Sequence, residues 1–395
     1  MPIDYDLVIV GAGLAGNCLA LALQGSGLKI ALIEAQTAEQ LHTSAAGDRA
    51  LALAAGTVTV LDAMGAWSGI AAKAEAIKHI HVSDQGHFGK TRLSAEKSLV
   101  TALGYVIAAR DIESHLAALV ANTETKLFCP ARLTGLVSGL DSVNMSLKFG
   151  NKPVNLTARL LVGADGGQSS VRRLLDIAQH TTDYGQTALV TTIKSALPNR
   201  NTAYERFTRS GPLAMLPISP YHSSVVWTRH HNEAEDLLAC PEADFIAALQ
   251  DSFGYWLGGL SLAAPRRAFP LSLIRAERMM CGRAVIVGNA VHQLHPVAGQ
   301  GFNLGMRDVV QLAEVIRAEH QQGNDIGGTA MINRYVQARQ KDHNHVISLT
   351  DSLVKIFSND WLALAAARNI GLTALDHLPL IKARFARQAM GLSSQ

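Results

Sequence analysis

The chain has 395 residues, of which 48% are hydrophobic and 17% charged, and its net charge is +3. The length suits two or three domains, or one nucleotide-type domain carrying a second sheet, and the composition excludes a disordered chain. With no Lys/Arg block interleaved with aromatics, the charge pattern excludes a nucleic-acid partner. The four cysteines, Cys18, Cys129, Cys240 and Cys281, are far apart and form no C-x-x-C pair. That spacing speaks against a disulfide framework or a zinc site and for a reducing cytosol. No H-E-x-x-H pattern occurs among the histidines, so no metal is expected, and His79, His81, His230 and His231 read as strand or surface residues. The apolar run at 7–23 follows Asp4 and Asp6 and is broken by Gly11, Gly13, Gly16 and Asn17, which fits neither a signal peptide nor a membrane span.

In chain order, YDLVIV at 5–10 reads as a parallel strand buried on both faces. GAGLAG at 11–16 follows, then a helical stretch, a second strand KIALI at 29–33, and Glu34. This is the order of a dinucleotide-binding turn. Gly11 permits the tight bend, Gly13 admits a pyrophosphate, Leu14 and Ala15 open the helix, and Gly16 lets helix and strand approach. Glu34 can accept both hydroxyls of an adenosine ribose, which favours FAD or NAD over a 2′-phosphorylated dinucleotide here.

Residues 46–51 predict the start of a helix running to about 64. Arg49 could reach a pyrophosphate or a flavin edge, or be a solvated helix arginine. Residues 78–84 read as a half-exposed strand and 86–93 as its hairpin return. A helix is expected over 110–121, with Arg110 either binding phosphate or making a surface ion pair. Strand signals at 126–128, 132–137 and 143–149 predict a β-meander inserted into the nucleotide fold. RLLVGADGGQSSVR at 159–172 is another buried strand meeting a glycine turn, with Asp165 and Gly166 at its tip and serines suited to cap a helix.

Alternating runs from about 187 to 270 predict an antiparallel sheet that covers the cofactor and encloses a substrate, with a helix over 243–253. Residues 283–308, RAVIVGNAVHQLHPVAGQGFNLGMRD, form the most informative stretch. A buried strand reaches Gly288 and Asn289, a loop carries His292, His295 and Pro296, and Gly299-Gln300-Gly301-Phe302-Asn303 opens a helix. That helix start aims backbone N–H groups and a positive dipole end at one point, suited to a planar or anionic group. Helices fill the rest of the chain. The expected division is an α/β Rossmann-like domain from 1–72, 97–180 and 275–335, an antiparallel-sheet substrate domain from 73–96 and 181–274, and a helical region over 336–395.

Three motifs in order, GAGLAG at 11–16, GADGGQSSVR at 163–172 and the glycine-rich stretch 288–305, resemble the class A flavoprotein aromatic monooxygenases with the p-hydroxybenzoate hydroxylase fold. HPVAGQGFNLGMRD at 295–308 and DRALAL at 48–53 are similar to the ubiquinone-biosynthesis hydroxylases. Gly86-His87-Phe88-Gly89 and Gly288-Asn289 point toward the branch acting on 2-polyprenyl-6-methoxyphenol. The wider family has Gly-Asp where this chain has Gly288-Asn289; Asn keeps an acceptor and adds a donor.

The resemblance implies that Gly11, Gly13, Gly16, Glu34, Arg49 and Arg110 hold the ADP half of FAD. It implies that Asn289 binds the ribityl chain, that the 299–303 backbone faces the ring, and that Asp165 serves both FAD and the incoming nicotinamide. NADPH or NADH would be the reductant and O2 the co-substrate, with oxygen reaching a prenylated phenol from a flavin C4a-hydroperoxide. Pro296 would shape the ring-facing loop. His295 would either hydrogen-bond the phenol or peroxide or hold the loop, and His292 would be structural. LPLIKARFARQAM at 378–390 fits either an interfacial helix or an ordinary packed one, so the expected location is cytoplasmic with peripheral membrane contact. Other ubiquinone-biosynthesis proteins are possible partners, and the oligomeric state is open. The alternatives are a pathway hydroxylase of other regiospecificity, a non-catalytic FAD-binding subunit, a prenyl reductase or a flavin halogenase. The halogenase W-x-W-x-I-P signature is absent, and a plain dehydrogenase does not account for the second and third glycine motifs.

Overall fold

Four apolar runs build the first layer. Tyr5–Val10, Ile30–Ile33, the second half of Lys152–Gly163 and Ala284–Ile286 lie side by side in parallel. Leu7–Val10, all of Ile30–Ile33 and all of Ala284–Ile286 are buried, because both faces of the sheet are covered; hence the runs lack alternation. The computed structural model describes residues 2–43, 45–357 and 362–392. Among these, the sheet has eight strands. Lys152–Gly163 joins the meander to it. Its first half pairs antiparallel with Val143–Phe149, and at Ala158 the partners include both Val143 and Tyr5.

The second layer is a nine-stranded sheet centred on the 17-residue strand Gln179–Ser195, flanked by His222–His230 and Arg267–Ala276. Gly211–Ser219, Thr202–Thr208, His79–Asp84 and Lys90–Ser94 follow outward. One pair departs from the antiparallel expectation: Thr202–Thr208 runs parallel to His79–Asp84. These strands come from distant stretches of chain, so no hairpin dictates their direction. Helices His231–Ala239 and Glu242–Phe253 back the sheet, burying Phe245, Leu249 and Phe253 against Leu189 and Trp227. The sequence reading missed the first of these helices.

A correction falls at 46–64. Only Ala45–Asp48 forms a short 3-10 turn; Ala50–Ala54 is a strand and the helix spans Ala55–Ala63. Ala-Leu alternation carries strong helix propensity, but pairing with Gly104–Ala108 overrides it, and Glu75–Ile77 completes this three-stranded sheet. Helices Gln300–Gln321, Thr329–Phe357, Leu362–His377 and Pro379–Ala389 finish the fold. Among the described residues, no helix is long and apolar enough to cross a membrane.

Candidate active site

The first strand ends in a turn that only glycine fits. Gly11 has φ +103°, its N–H donates to the Ile33 carbonyl at 2.8 Å, and a Cβ there would strike the backbone of Ala164 and Asp165. A Cβ on Gly16 would fall on the Gly11 carbonyl oxygen, so its role is helix–strand contact. Gly13 precedes the Leu14–Ala22 helix, which no side chain among the described residues caps, and a Cβ on Gly13 would meet nothing. An uncapped helix N-terminus thus faces open space, as a pyrophosphate requires. Leu14 and Ala15 border the same cavity. Glu34 accepts Ala12 N–H at 2.9 Å on one oxygen and Gln36 N–H at 2.8 Å on the other, which fixes the carboxylate and leaves each oxygen able to accept a hydroxyl.

Two expected phosphate or cofactor contacts are arranged differently. Arg49 borders the cavity, but Arg110 is not among its described lining residues; it pairs with Asp48 at 2.7 Å. Asp48 also pairs with Arg267 from the second sheet at 2.9 Å, a partner that sequence spacing cannot show. Asp165 and Gly166 border the cavity, yet the Asp165 carboxylate accepts from Ser169 Oγ, from Ser170 N and Oγ, and from Val171 N. The carboxylate therefore starts the Ser170–Leu174 helix, with Oδ2 taking three of these bonds and Oδ1 one.

Arg172 was not singled out from sequence. It is buried, and donates to the Ala290 carbonyl at 2.8 Å and the Gly167 carbonyl at 2.7 Å, tying the second glycine motif to the third. On the other side of that turn, Asp308 accepts Gly288 N–H at 3.3 Å. Gly288 (φ +59°) is buried, and Asn289 is held exposed to the cavity it lines.

Asp308 is fully buried and accepts from Arg339 Nε at 2.7 Å and His343 Nε2 at 2.6 Å, both on the Thr329–Phe357 helix. Burial alone would raise its pKa, but the surrounding imidazoles hold the carboxyl far below the usual carboxylate range. His292 is also fully buried, 3.5 Å from Asp308, and burial lowers its pKa. His292, Asp308 and His343 are close enough to share a cation, but Arg339 already neutralises the carboxylate, so the group is an ion-pair network binding two helices.

The loop after this turn carries His295 and Pro296, both on the cavity. His295 is 1% exposed; its Nδ1 accepts Val297 N–H at 3.2 Å, which assigns the ring proton to Nε2. Burial lowers its pKa to about 4, so the ring is a neutral donor. Tyr184 packs edge-to-face on it at 5.4 Å. Pro296 leads into the 3-10 turn Val297–Gly299, and Gly299 (φ +59°) opens the Gln300–Gln321 helix with no side-chain cap. Gln300, Gly301, Phe302 and Asn303 border the cavity, and a Cβ on Gly301 would meet nothing. The Asn303 side chain is turned away, accepting from Ala54 N and Thr57 Oγ1 and donating to the Ala52 and Gly299 carbonyls. Only its backbone can serve a ligand.

These elements surround one cavity of about 1460 Å³. Its polar part has the two open helix N-termini, Glu34, Arg49 and Asn289; the remainder is walled by Ile80, Val82, Leu93, Phe207, Leu216, Leu353, Phe357, Leu372 and Phe385. The volume exceeds the roughly 300–1,000 Å³ of a single small-ligand pocket. The polar part fits a dinucleotide, and the apolar part has room for a second, oily molecule.

Comparison with known proteins agrees with this division. Residues 4–350 match a family model described as an FAD binding domain. The chain is 37% identical to the ubiquinone hydroxylase UbiL of Rhodospirillum rubrum, covering 98% of this chain and 89% of that protein. It is 29% identical to 3-demethoxyubiquinol 3-hydroxylase of Escherichia coli, covering 98% of each. The solved p-nitrophenol 4-monooxygenase PnpA of Pseudomonas putida DLL-E4 superimposes with a TM-score of 0.81 over all of both chains at 16% identity, which shows the shared fold. Two glycine-walled helix starts, an anchored glutamate on the cavity and an adjoining apolar chamber accord with a flavoprotein, and the chain belongs to the FAD-dependent aromatic monooxygenases, in the group of ubiquinone-biosynthesis hydroxylases.

Proposed function

We propose that the chain hydroxylates the ring of a polyprenylated phenol, 2-polyprenyl-6-methoxyphenol, using NADPH or NADH and O2. The observation that carries this reading is the continuity of the nucleotide-lined and apolar parts of one cavity around the 288–303 turn. Bound FAD, once reduced, supplies the oxygen activation that no side chain can. The protein's part is placement. The N-terminus of the Gln300–Gln321 helix favours negative charge on the reduced ring, Asn289 offers a donor and an acceptor to the ribityl chain, and His295 holds the loop with a neutral ring. The apolar roof excludes water from the transfer.

A second reading, hydroxylation at another ring position, is favoured by the name of the 29%-identical Escherichia coli relative. One experiment separates the possibilities: anaerobic reduction of the flavoprotein, then oxygen with a short-tail 6-methoxyphenol and product analysis by mass and NMR. One added oxygen supports the proposal and NMR gives its position. Peroxide alone would instead favour an uncoupled or different enzyme, and NAD(P)H oxidation that no phenol stimulates would favour a non-catalytic FAD-binding subunit.

Peripheral membrane contact belongs to the same proposal, with delivery of the oily substrate at the inner face of a membrane and other ubiquinone-biosynthesis proteins as partners. On Pro379–Ala389, Leu380 is 87% and Ile381 55% exposed, beside the exposed Arg384 and Arg387. Removing residues 378–395 should release the protein from anionic liposomes; unchanged association would remove the membrane element of the reading.

A further inference from the structure

The Leu362–His377 helix closes one side of the apolar chamber with Arg368, Gly371, Leu372 and Leu375, so that face borders space where a packed helix would meet side chains. Among its described side chains, Leu372 joins a small apolar cluster with Phe207, Val297, Val354 and Phe357. Polar bonds tie the helix to the His79–Asp84/Lys90–Ser94 hairpin. Asn369 Oδ1 accepts Gly89 N–H at 2.5 Å, and Asn369 Nδ2 donates to Asp84 Oδ2 at 3.1 Å. Arg368 Nε donates to the same Asp84 oxygen at 3.2 Å, with both side chains only 4% exposed. Thr91 Oγ1 donates to the Leu372 carbonyl at 2.6 Å.

A helix docked by a buried ion pair beside an apolar chamber gains further contacts when an apolar chain fills that chamber. Binding and docking must then favour each other reciprocally. We propose that the Asp84–Arg368–Asn369 latch makes this helix the tail-gripping wall of the site, so that the latch determines the preference for long-tailed over short-tailed phenols. Asp84 and Asn369 are not among the described lining residues of the cavity and act through the helix, whereas Arg368 also borders the chamber. The proposal rests on the prenylated-phenol reading above.

The test uses the FAD-loaded full chain and two probes, farnesol and prenol. Farnesol should slow amide hydrogen exchange over 368–377 by about tenfold, equivalent to roughly 1.4 kcal/mol of coupling, and prenol should not. Asp84→Asn breaks the pair, and Gly89→Ala presses a methyl on Asn369 without touching a charge. Each variant should lose the farnesol protection and lower the ratio of kcat/KM for a farnesyl-phenol over a prenyl-phenol by about tenfold. Flavin content and prenyl-phenol turnover should stay at the wild-type level. Farnesol that leaves the exchange unchanged, or Gly89→Ala protein that keeps the wild-type tail ratio, would overturn the latch. Should the wild type hydroxylate neither phenol, the reaction assignment fails, while the farnesol exchange result still decides the latch.

Discussion

The nucleotide-binding half and the chamber-enclosing half solve the same problem, holding a ligand, by opposite means. In the first, backbone does the binding: glycines at 11, 13, 16, 288, 299 and 301 bring helix N-termini and strand ends to the cavity, and few side chains reach in. In the second, apolar side chains from a sheet and three helices define the space, and polar groups such as Asp84 and Asn369 hold the walls from behind. At Gly11 and Gly16 the backbone leaves no room for a Cβ, whereas side-chain walls tolerate graded change. The first half should therefore break abruptly and the second by degrees.

The largest effect is expected at Gly16. Gly16→Val puts atoms on the Gly11 carbonyl, and the purified protein should be colourless, without bound flavin absorbance; a yellow variant would show that the turn can relax. Asp308→Ala comes next. It strands Arg339 and His343 in a fully buried site, and urea titration should show a loss of about 3–5 kcal/mol. Glu34→Ala removes a charged acceptor that two backbone N–H groups orient. Fluorescence titration should show FAD affinity falling by about tenfold to a hundredfold, matching about 1.5–3 kcal/mol for bonds to a charged group.

A smaller effect is the acid dependence of the loop that carries His295. His295 has its pKa lowered from 6.5 to about 4 by burial, so between those values the unfolded chain binds the extra proton and the folded one does not. Stability is full above 6.5 and falls as pH drops toward 4. His295→Asn should flatten the slope of Tm against pH in that window, although His81, lowered to about 4 by burial and by Arg92, Lys90 and Arg206, leaves part of it. The smallest change is expected from Arg110→Gln. It loosens a half-exposed pair with Asp48 by about 0.2–1 kcal/mol and should leave FAD affinity near wild type, whereas a phosphate-binding Arg110 would lower it severalfold.

The same contrast explains what the sequence discloses. Glycine turns between a buried strand and a helix are local, so the three motifs, the strands leading to them and the Gln300–Gln321 helix are readable from neighbouring residues. The strand at 50–54 is not, because its identity depends on pairing with residues 104–108. Asp165 and Asn303 are visible as motif members, but their side chains' partners are set by the fold, and both turn out to brace helices or strands. The latch is least legible of all: Asp84 and Arg368 are 284 positions apart, and neither stands in a recognisable pattern.

The strand Arg267–Ala276 pairs with Gln179–Ser195 of the cavity's roof and, at Ile274 and Arg275, with Gln293 and His292 of the loop that forms its floor. Roof and floor are therefore rungs of one ladder, and the distance between them is counted in residues rather than adjusted by a hinge. Deleting one residue between 271 and 275 would slide the rungs by about 3.3 Å and turn each side chain to the opposite face. In this molecule the spacing of sheet and loop is written as strand register, so substitutions along that strand should be tolerated where a change of its length is not.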